Sequence, residues 1–147
     1  MTVRIGINGF GRIGRLVVRA LREHPGLQLV HVNEVKGGAA TAAHLLEFDT
    51  VHGRYPGTVG QTEGGLVVDG HDVTFTEHSS PADIDWAAHG VDLVIESTGR
   101  FETAADLEPH LARGARSVVV ACPVKSEGVL NVVMGCNDHL LDRKSVV

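Results

Sequence analysis

Little in this chain suits it to nucleic acid, to a bilayer or to a metal cluster. Aromatic residues make up only 4% of its 147 residues, and its 13 Lys and Arg are outnumbered by 18 Asp and Glu, giving a formal net charge of -5. With the basic residues dispersed and few rings for bases to stack on, a surface for nucleic acid or anionic membrane is excluded. No apolar run approaches the roughly 20 residues that a spanning helix needs. There are two cysteines, Cys122 and Cys136, and they do not form a Cys-x-x-Cys pair, so neither a disulfide framework nor a zinc site is indicated. Both read as small buried apolar residues. His44 and Glu47 share a helix face among nine histidines, but no second pair at ligand spacing supports a metal, and none is expected. The opening Met1-Thr2-Val3-Arg4-Ile5-Gly6 enters a strand pattern with no secretory apolar segment, which predicts a cytoplasmic protein.

What is present is the material of one domain, residues 1–147. The chain is 43% hydrophobic and 21% charged, ordinary for a globular core of this length. Val3, Ile5 and Ile7 alternate over residues 2–8, a first strand. Ile13, Leu16, Val17, Ala20 and Leu21 then trace one stripe of a helix over 12–23. Arg15, Arg19 and Arg22 fall on its other side and read as a solvated face. After Pro25-Gly26, residues 27–33 form a second apolar strand, so the opening is a strand–helix–strand unit of the kind that builds parallel sheets. A helix is expected over 39–48 and a loop over 49–60. Asp69-Gly70 between residues 66–68 and 73–76 predicts an antiparallel hairpin, an excursion from the parallel sheet. Strands are expected over 91–96, 117–121 and 129–134, with a truncated one at 144–147. Thr103 and Asp106 are spaced as a capping pair for a helix reaching Arg113, in which Pro109 is awkward. Asp83, Asp85 and Glu102 read as solvated charges.

The strongest motif is Gly9-Phe10-Gly11-Arg12-Ile13-Gly14. A bare G-x-G-x-x-G run says little, but this one follows a strand and opens an amphipathic helix, the context that a dinucleotide-binding turn requires. The three glycines serve different ends. Gly9 makes the tight turn, Gly11 admits the pyrophosphate to the backbone, and Gly14 lets the helix lie close to the strand. The helix N-terminus offers free N–H groups and a positive dipole end to the phosphates. Glu34 follows the second strand, where a carboxylate can accept from the adenosine ribose hydroxyls and repel a 2′-phosphate, favouring NAD over NADP. Lys36 softens that repulsion. Ser97-Thr98-Gly99 closes a further strand at the same sheet edge, where open α/β sheets bind ligands; a simple turn is the equal alternative there. The fold class these features predict is α/β, a Rossmann-type, doubly wound and mostly parallel sheet with helices on both faces.

Read letter by letter, residues 5–15 (Ile-Gly-Ile-Asn-Gly-Phe-Gly-Arg-Ile-Gly-Arg) resemble the opening of the glyceraldehyde-3-phosphate dehydrogenase family. So do Val32-Asn33-Glu34, the run Phe48-Asp49-Thr50-Val51-His52-Gly53-Arg54, Ser97-Thr98-Gly99 and Met134-Gly135-Cys136-Asn137. Erythrose-4-phosphate dehydrogenase shares this family. The resemblance implies an NAD domain followed by a catalytic one, assembled as a homotetramer and acting on glyceraldehyde 3-phosphate. It implies that Phe10, Arg12 and Ile13 belong to the pyrophosphate turn, that Glu34 stands in for a ribose-binding aspartate, and that Ser97, Thr98 and Gly99 border the nicotinamide ribose. Ala121 falls where the family often has a hydroxyl, so a side-chain bond to the nicotinamide amide is lost there. Residues 34–54 and 121–139 resemble the form found beside arsenate-resistance genes, implying arsenate in place of phosphate.

The family's nucleophile, a cysteine in a Ser-Cys-Thr-Thr-Asn-Cys run, and its partner histidine match nothing here, and motif alignment puts that cysteine a few residues past Val147. No catalytic residue is therefore expected in this chain and no aldehyde oxidation by it alone. The competing reading is a free-standing nucleotide-binding or regulatory module; a third is a structural partner that uses another subunit's site.

Overall fold

The computed structural model describes residues 2–141, and the strand expected at 144–147 lies outside them. Strand β1 (Val3–Asn8), helix α1 (Arg12–Leu21) and strand β2 (Leu27–Asn33) form the predicted opening unit, and α2 (Gly38–Glu47) follows. A two-stranded ribbon, β3 (Phe48–Asp49) with β4 (Gly53–Arg54), occupies part of the expected loop, and β5 (Val59–Thr62) occupies more of it. Then come β6 (Gly65–Val68), β7 (His71–Thr76), a 3-10 turn at Pro81–Asp83, β8 (Leu93–Glu96), α3 (Ala104–Ala112) and β9 (Ser117–Val120).

The main sheet has seven strands in the order β5-β6-β7-β2-β1-β8-β9. The run from β7 to β9 is parallel, and β5 and β6 extend it antiparallel at one edge, so the hairpin remains part of the sheet. Its turn is the expected one: Asp69 and Gly70 both adopt positive φ, 49° and 81°, which the twist of a two-residue hairpin demands. Chain order reverses on either side of β1, with β2 to one side and β8 to the other. That switch point places a crevice at the carboxyl ends of these strands.

Two apolar layers cover the sheet. Ile5, Ile7, Leu29 and Val32 pack with Val18 of α1 and Leu46 of α2, while Val94, Val118 and Val30 pack with Leu107 of α3 and with Trp86. Between Ile5 and Gly6 the β1–β2 register shifts, so that Ile5 pairs with Leu29 and Gly6 with His31. Val30 is the extra residue. The shift puts His31 beside Gly6 on the second layer, where the Trp86 ring approaches so closely that any Cβ on Gly6 would meet it at 2.7 Å.

Several expectations are corrected here. Ile13 is 47% exposed and Ala20 is exposed too, whereas Val18 and Gly14 are the fully buried residues of α1. The arginine face is not simply solvated. Arg15 Nη1 donates to the Phe10 carbonyl at 2.9 Å, Arg19 Nη2 donates to the carbonyls of Leu46 and Gly53, and Arg22 pairs with Asp69 at 3.0 Å while lying over the Tyr55 ring. Most of these partners come from later in the chain, and helical periodicity carries no trace of them. Residues 129–134 form no strand: Val133 and Met134 are 60% and 75% exposed, and among the described residues no strand pairs with them. Cys136 is exposed and Cys122 is half-buried, so neither is the buried apolar residue expected. Pro109 sits inside α3 without ending it, held by a complete capping box in which Thr103 and Asp106 satisfy each other's backbone N–H.

Among the described residues no three His, Cys, Asp or Glu side chains converge as a metal ion would require, and no helix is long and apolar enough to cross a membrane.

Candidate functional site

The crevice at the switch point is floored by the turn after β1. Gly9 has φ of +90°, and a Cβ there would come within 2.7 Å of the Thr98 backbone nitrogen. A Cβ on Gly14 would collide with the Gly9 carbonyl. A Cβ on Gly11, by contrast, would meet nothing within 4 Å and would project into open space. Gly9 and Gly14 are thus demanded by the fold, whereas Gly11 is demanded by nothing in the protein itself. The space over it leaves room for a ligand to approach the backbone.

Helix α1 starts at Gly11 with no side-chain cap and no acidic residue in its first turn. Its free N–H groups and positive dipole end are left for an anion. Phe10 turns inward and is buried in the core, anchoring the turn, while its N–H donates to Glu34 Oε2 at 2.7 Å. Arg12 leaves the crevice to pair with Asp49 at 2.5 Å. The N–H groups of His52 and Val51 bind Asp49 from within its own loop and, with Arg12, hold its carboxyl well below the usual carboxylate range. The 48–54 ribbon is thereby pinned to the phosphate turn.

Glu34 follows β2 and lines the crevice. Its second oxygen accepts from the Lys36 N–H at 3.2 Å. Each oxygen has two lone pairs, so acceptor capacity remains on both for ribose hydroxyls. Lys36, His78 and Arg100 also line the cavity, so its one carboxylate stands among basic side chains. Opposite lie Ser97 and Thr98, with Phe101 behind them. Ser97 Oγ donates to the Gly9 carbonyl at 2.7 Å, and Gly99 turns the chain with φ of +67°. Gly9, Gly11, Glu34, Ser97 and Thr98 are therefore brought together around one cavity. Gly14 supports it from below, while exposed Ile13 stands at the mouth of the helix. Ala121 follows β9 and is exposed, its N–H donating to the Glu96 carbonyl, and it does not line this cavity.

Sequence reasoning missed the polar layer beneath the crevice. Asn8 and Asn33 are paired in register at the ends of β1 and β2, and both are 2% exposed. Asn33 Nδ2 donates to Asn8 Oδ1 at 2.8 Å and to the His78 carbonyl at 2.9 Å, while its Oδ1 accepts from the His78 N–H. This clamp sets the wall of the crevice after β7. His31, wholly buried, touches Thr74 and Thr76 through its two ring nitrogens and stacks on His89 at 3.8 Å. Burial, with nearby His89 and His78, pushes its pKa down to about 3. A signal was available: three neighbouring parallel strands end in the polar residues Asn8, Asn33 and Glu96.

The two cysteines differ in setting. Burial first, and then Glu102 and Glu96, push the Cys122 thiol up, away from the reactive thiolate. Cys136 is exposed. His44 packs against Phe48, and Glu47 pairs with Arg54, so the two do not act together.

The family profile described as "Glyceraldehyde 3-phosphate dehydrogenase, NAD binding domain" matches residues 3–104. The chain is 51% identical over 142 residues to a protein named glyceraldehyde-3-phosphate dehydrogenase 3 from Nostoc sp., covering 97% of this chain and 42% of that protein. It is 48% identical over 143 residues to glyceraldehyde-3-phosphate dehydrogenase of Streptomyces coelicolor, with 97% and 42% covered. To the enzyme of that name from Geobacillus stearothermophilus it is 43% identical over 145 residues, covering 99% and 43%. The chain thus spans about two fifths of the length of the curated relatives it matches.

Proposed function

This chain belongs to the glyceraldehyde-3-phosphate dehydrogenase family as its NAD-binding domain, and from this we propose that it serves a dehydrogenase oxidising glyceraldehyde 3-phosphate, with the covalent chemistry supplied by sequence beyond these 147 residues. NAD, when bound, supplies the hydride acceptor. The chain's own part is to hold it. The uncapped N-terminus of α1 receives the pyrophosphate beside Gly9–Phe10–Gly11, with Arg12 and Ile13 contributing backbone. Glu34 accepts from the adenosine ribose, and Ser97, Thr98 and Gly99 border the nicotinamide side, with Ala121 further along the same sheet edge.

The observation that carries this reading is the open space over Gly11, between an uncapped helix and a carboxylate. Calorimetric titration of the purified chain with NAD at millimolar concentration tests it. Binding is expected, and Gly11→Val should abolish it while the fold survives, since the new side chain meets no protein atom at Cβ. No heat from the unaltered chain would refute the assignment.

Aldehyde oxidation by this family's route requires a thiolate activated by a base, and neither Cys122 nor Cys136 has that setting. The chain alone should produce no NADH from glyceraldehyde 3-phosphate with phosphate or arsenate. Activity lost on alkylating either cysteine would move catalysis into this domain. The longer protein is read as cytoplasmic and homotetrameric. Its acyl-group acceptor is phosphate, or arsenate as the resemblance of residues 34–54 and 121–139 implies.

A further inference from the structure

Glu96 closes β8, is 1% exposed, and has no part in the cofactor contacts proposed above. Four donors converge on it. Oε1 accepts from the Thr98 N–H at 2.8 Å and from Thr98 Oγ1 at 2.5 Å; Oε2 accepts from Asn8 Nδ2 at 2.6 Å and from His110 Nε2 at 3.1 Å. The last of these is settled by Trp86, whose Nε1–H points at His110 Nδ1 at 3.0 Å. An indole nitrogen only donates, so Nδ1 must carry its lone pair and the imidazole proton must sit on Nε2, directed at Glu96. Trp86 and His110 are both wholly buried, so neither bond is exchanged with water.

The geometry lies where two turns meet. Asn8 leads into the phosphate turn, and Thr98 belongs to the turn on the opposite wall of the crevice. Ser97 already ties the two through its N–H to the Asn8 carbonyl and its Oγ to the Gly9 carbonyl. Glu96 adds a side-chain brace from beneath, one oxygen to each turn.

We propose that Glu96 is a positioning residue for the cofactor, an acceptor-only brace that fixes the separation of the phosphate turn from the 97–99 turn, oriented by His110 and Trp86. The proposal rests on the crevice being the NAD site. A ligand that spans both turns depends on the brace, whereas one that engages only the adenosine side does not.

Calorimetry on the purified chain with NAD and with AMP tests this, using Glu96→Gln, which keeps the shape but turns one oxygen into a donor facing donors. The dissociation constant for NAD should rise about 10-fold and that for AMP by less than 2-fold, measured well below the thermal midpoint. Equal changes for both ligands, or no change for either, would reduce Glu96 to a structural residue and overturn the proposal. If the unaltered chain bound neither ligand, the reading of the crevice itself would fall. Should Glu96→Gln not fold, Trp86→Phe deletes the donor to His110 Nδ1 while keeping an aromatic ring in the core; it should weaken NAD about 3-fold, leave AMP unchanged, and shift the His110 Nδ1 resonance in NMR as that hydrogen bond is lost, the proton staying on Nε2 toward Glu96. An unchanged NAD affinity in that variant, or an equal loss for AMP, would equally refute the brace.

Discussion

Two glutamates stand at the ends of the two strands that flank β1, and they do opposite work. Glu34, after β2, lines the crevice and keeps acceptor capacity for a ligand beyond its bonds to the Phe10 and Lys36 backbones. Glu96, at the end of β8, is buried and accepts from four protein donors. Glu34, one residue beyond the register position of Glu96, is proposed above to serve recognition, while Glu96, level with Asn8 and Asn33, serves construction. What separates them is the number of protein donors within reach, because a carboxylate already satisfied has little left to offer a ligand.

The largest contrast should appear on truncation. Glu96→Ala leaves the donors of Asn8, Thr98 and His110 buried without an acceptor and should cost about 3–5 kcal/mol of stability in urea unfolding. Glu34→Ala should cost less, about 1–2 kcal/mol, because its bond to Lys36 is exposed and its bond to Phe10 only part-buried. Equal losses would erase the distinction between the two carboxylates.

The polar layer under the crevice should also reveal itself through pH. His31 is held neutral in the fold, so the unfolded chain binds its proton more readily. Its contribution is therefore fully present above the unfolded value of about 6.5 and declines as pH falls through that value toward 3, by up to about 1.4 kcal/mol per unit. His89, lowered by the same burial, adds in the same direction. Unfolding curves at a series of pH values should show this slope, and His31→Gln should flatten it. A slope unaffected by that substitution would assign the acid sensitivity elsewhere.

A third effect belongs to the recognition side. Replacing Glu34 by Ala removes a ribose acceptor and a repulsion toward a 2′-phosphate, together about 1–3 kcal/mol, so the ratio of NAD to NADP affinity should narrow. If the unaltered chain bound both cofactors equally, Glu34 would not be the discriminating residue. The smallest effect serves as a control far from the crevice. Thr103→Ala removes the capping box of α3 and should lower stability by about 1 kcal/mol while leaving the NAD-to-NADP ratio untouched.

That Gly9, Gly11, Glu34, Ser97 and Thr98 gather at one sheet edge was legible in the sequence, and the polar construction beneath them was not. Residues 9–14, Glu34, the Asp69-Gly70 turn and the Thr103–Asp106 cap are local patterns, each decided by neighbours a few positions away. The brace joins Asn8 to Glu96 across 88 positions, and Glu96 to His110 across 14. Spacing along the chain holds no record of such contacts. The arginines of α1 fail the solvated reading for the same reason, since Arg19 and Arg22 find partners 27 to 47 positions on. Residues 129–134 show the converse error. Val129, Val132 and Val133 have the composition of a strand, but composition cannot supply a partner strand.

The chain has a single tryptophan, and it is the residue that terminates the brace. Trp86 is shielded from water, meets the edge of His31 at 5.4 Å and donates to His110. Its emission should therefore lie at short wavelength and be sensitive to both rings, with no competing indole elsewhere to blur it. A ligand in the crevice, through Glu96 and His110, and protonation of His31, through its ring contact, should each change that emission, so the molecule should be open to being followed by its own light without a label.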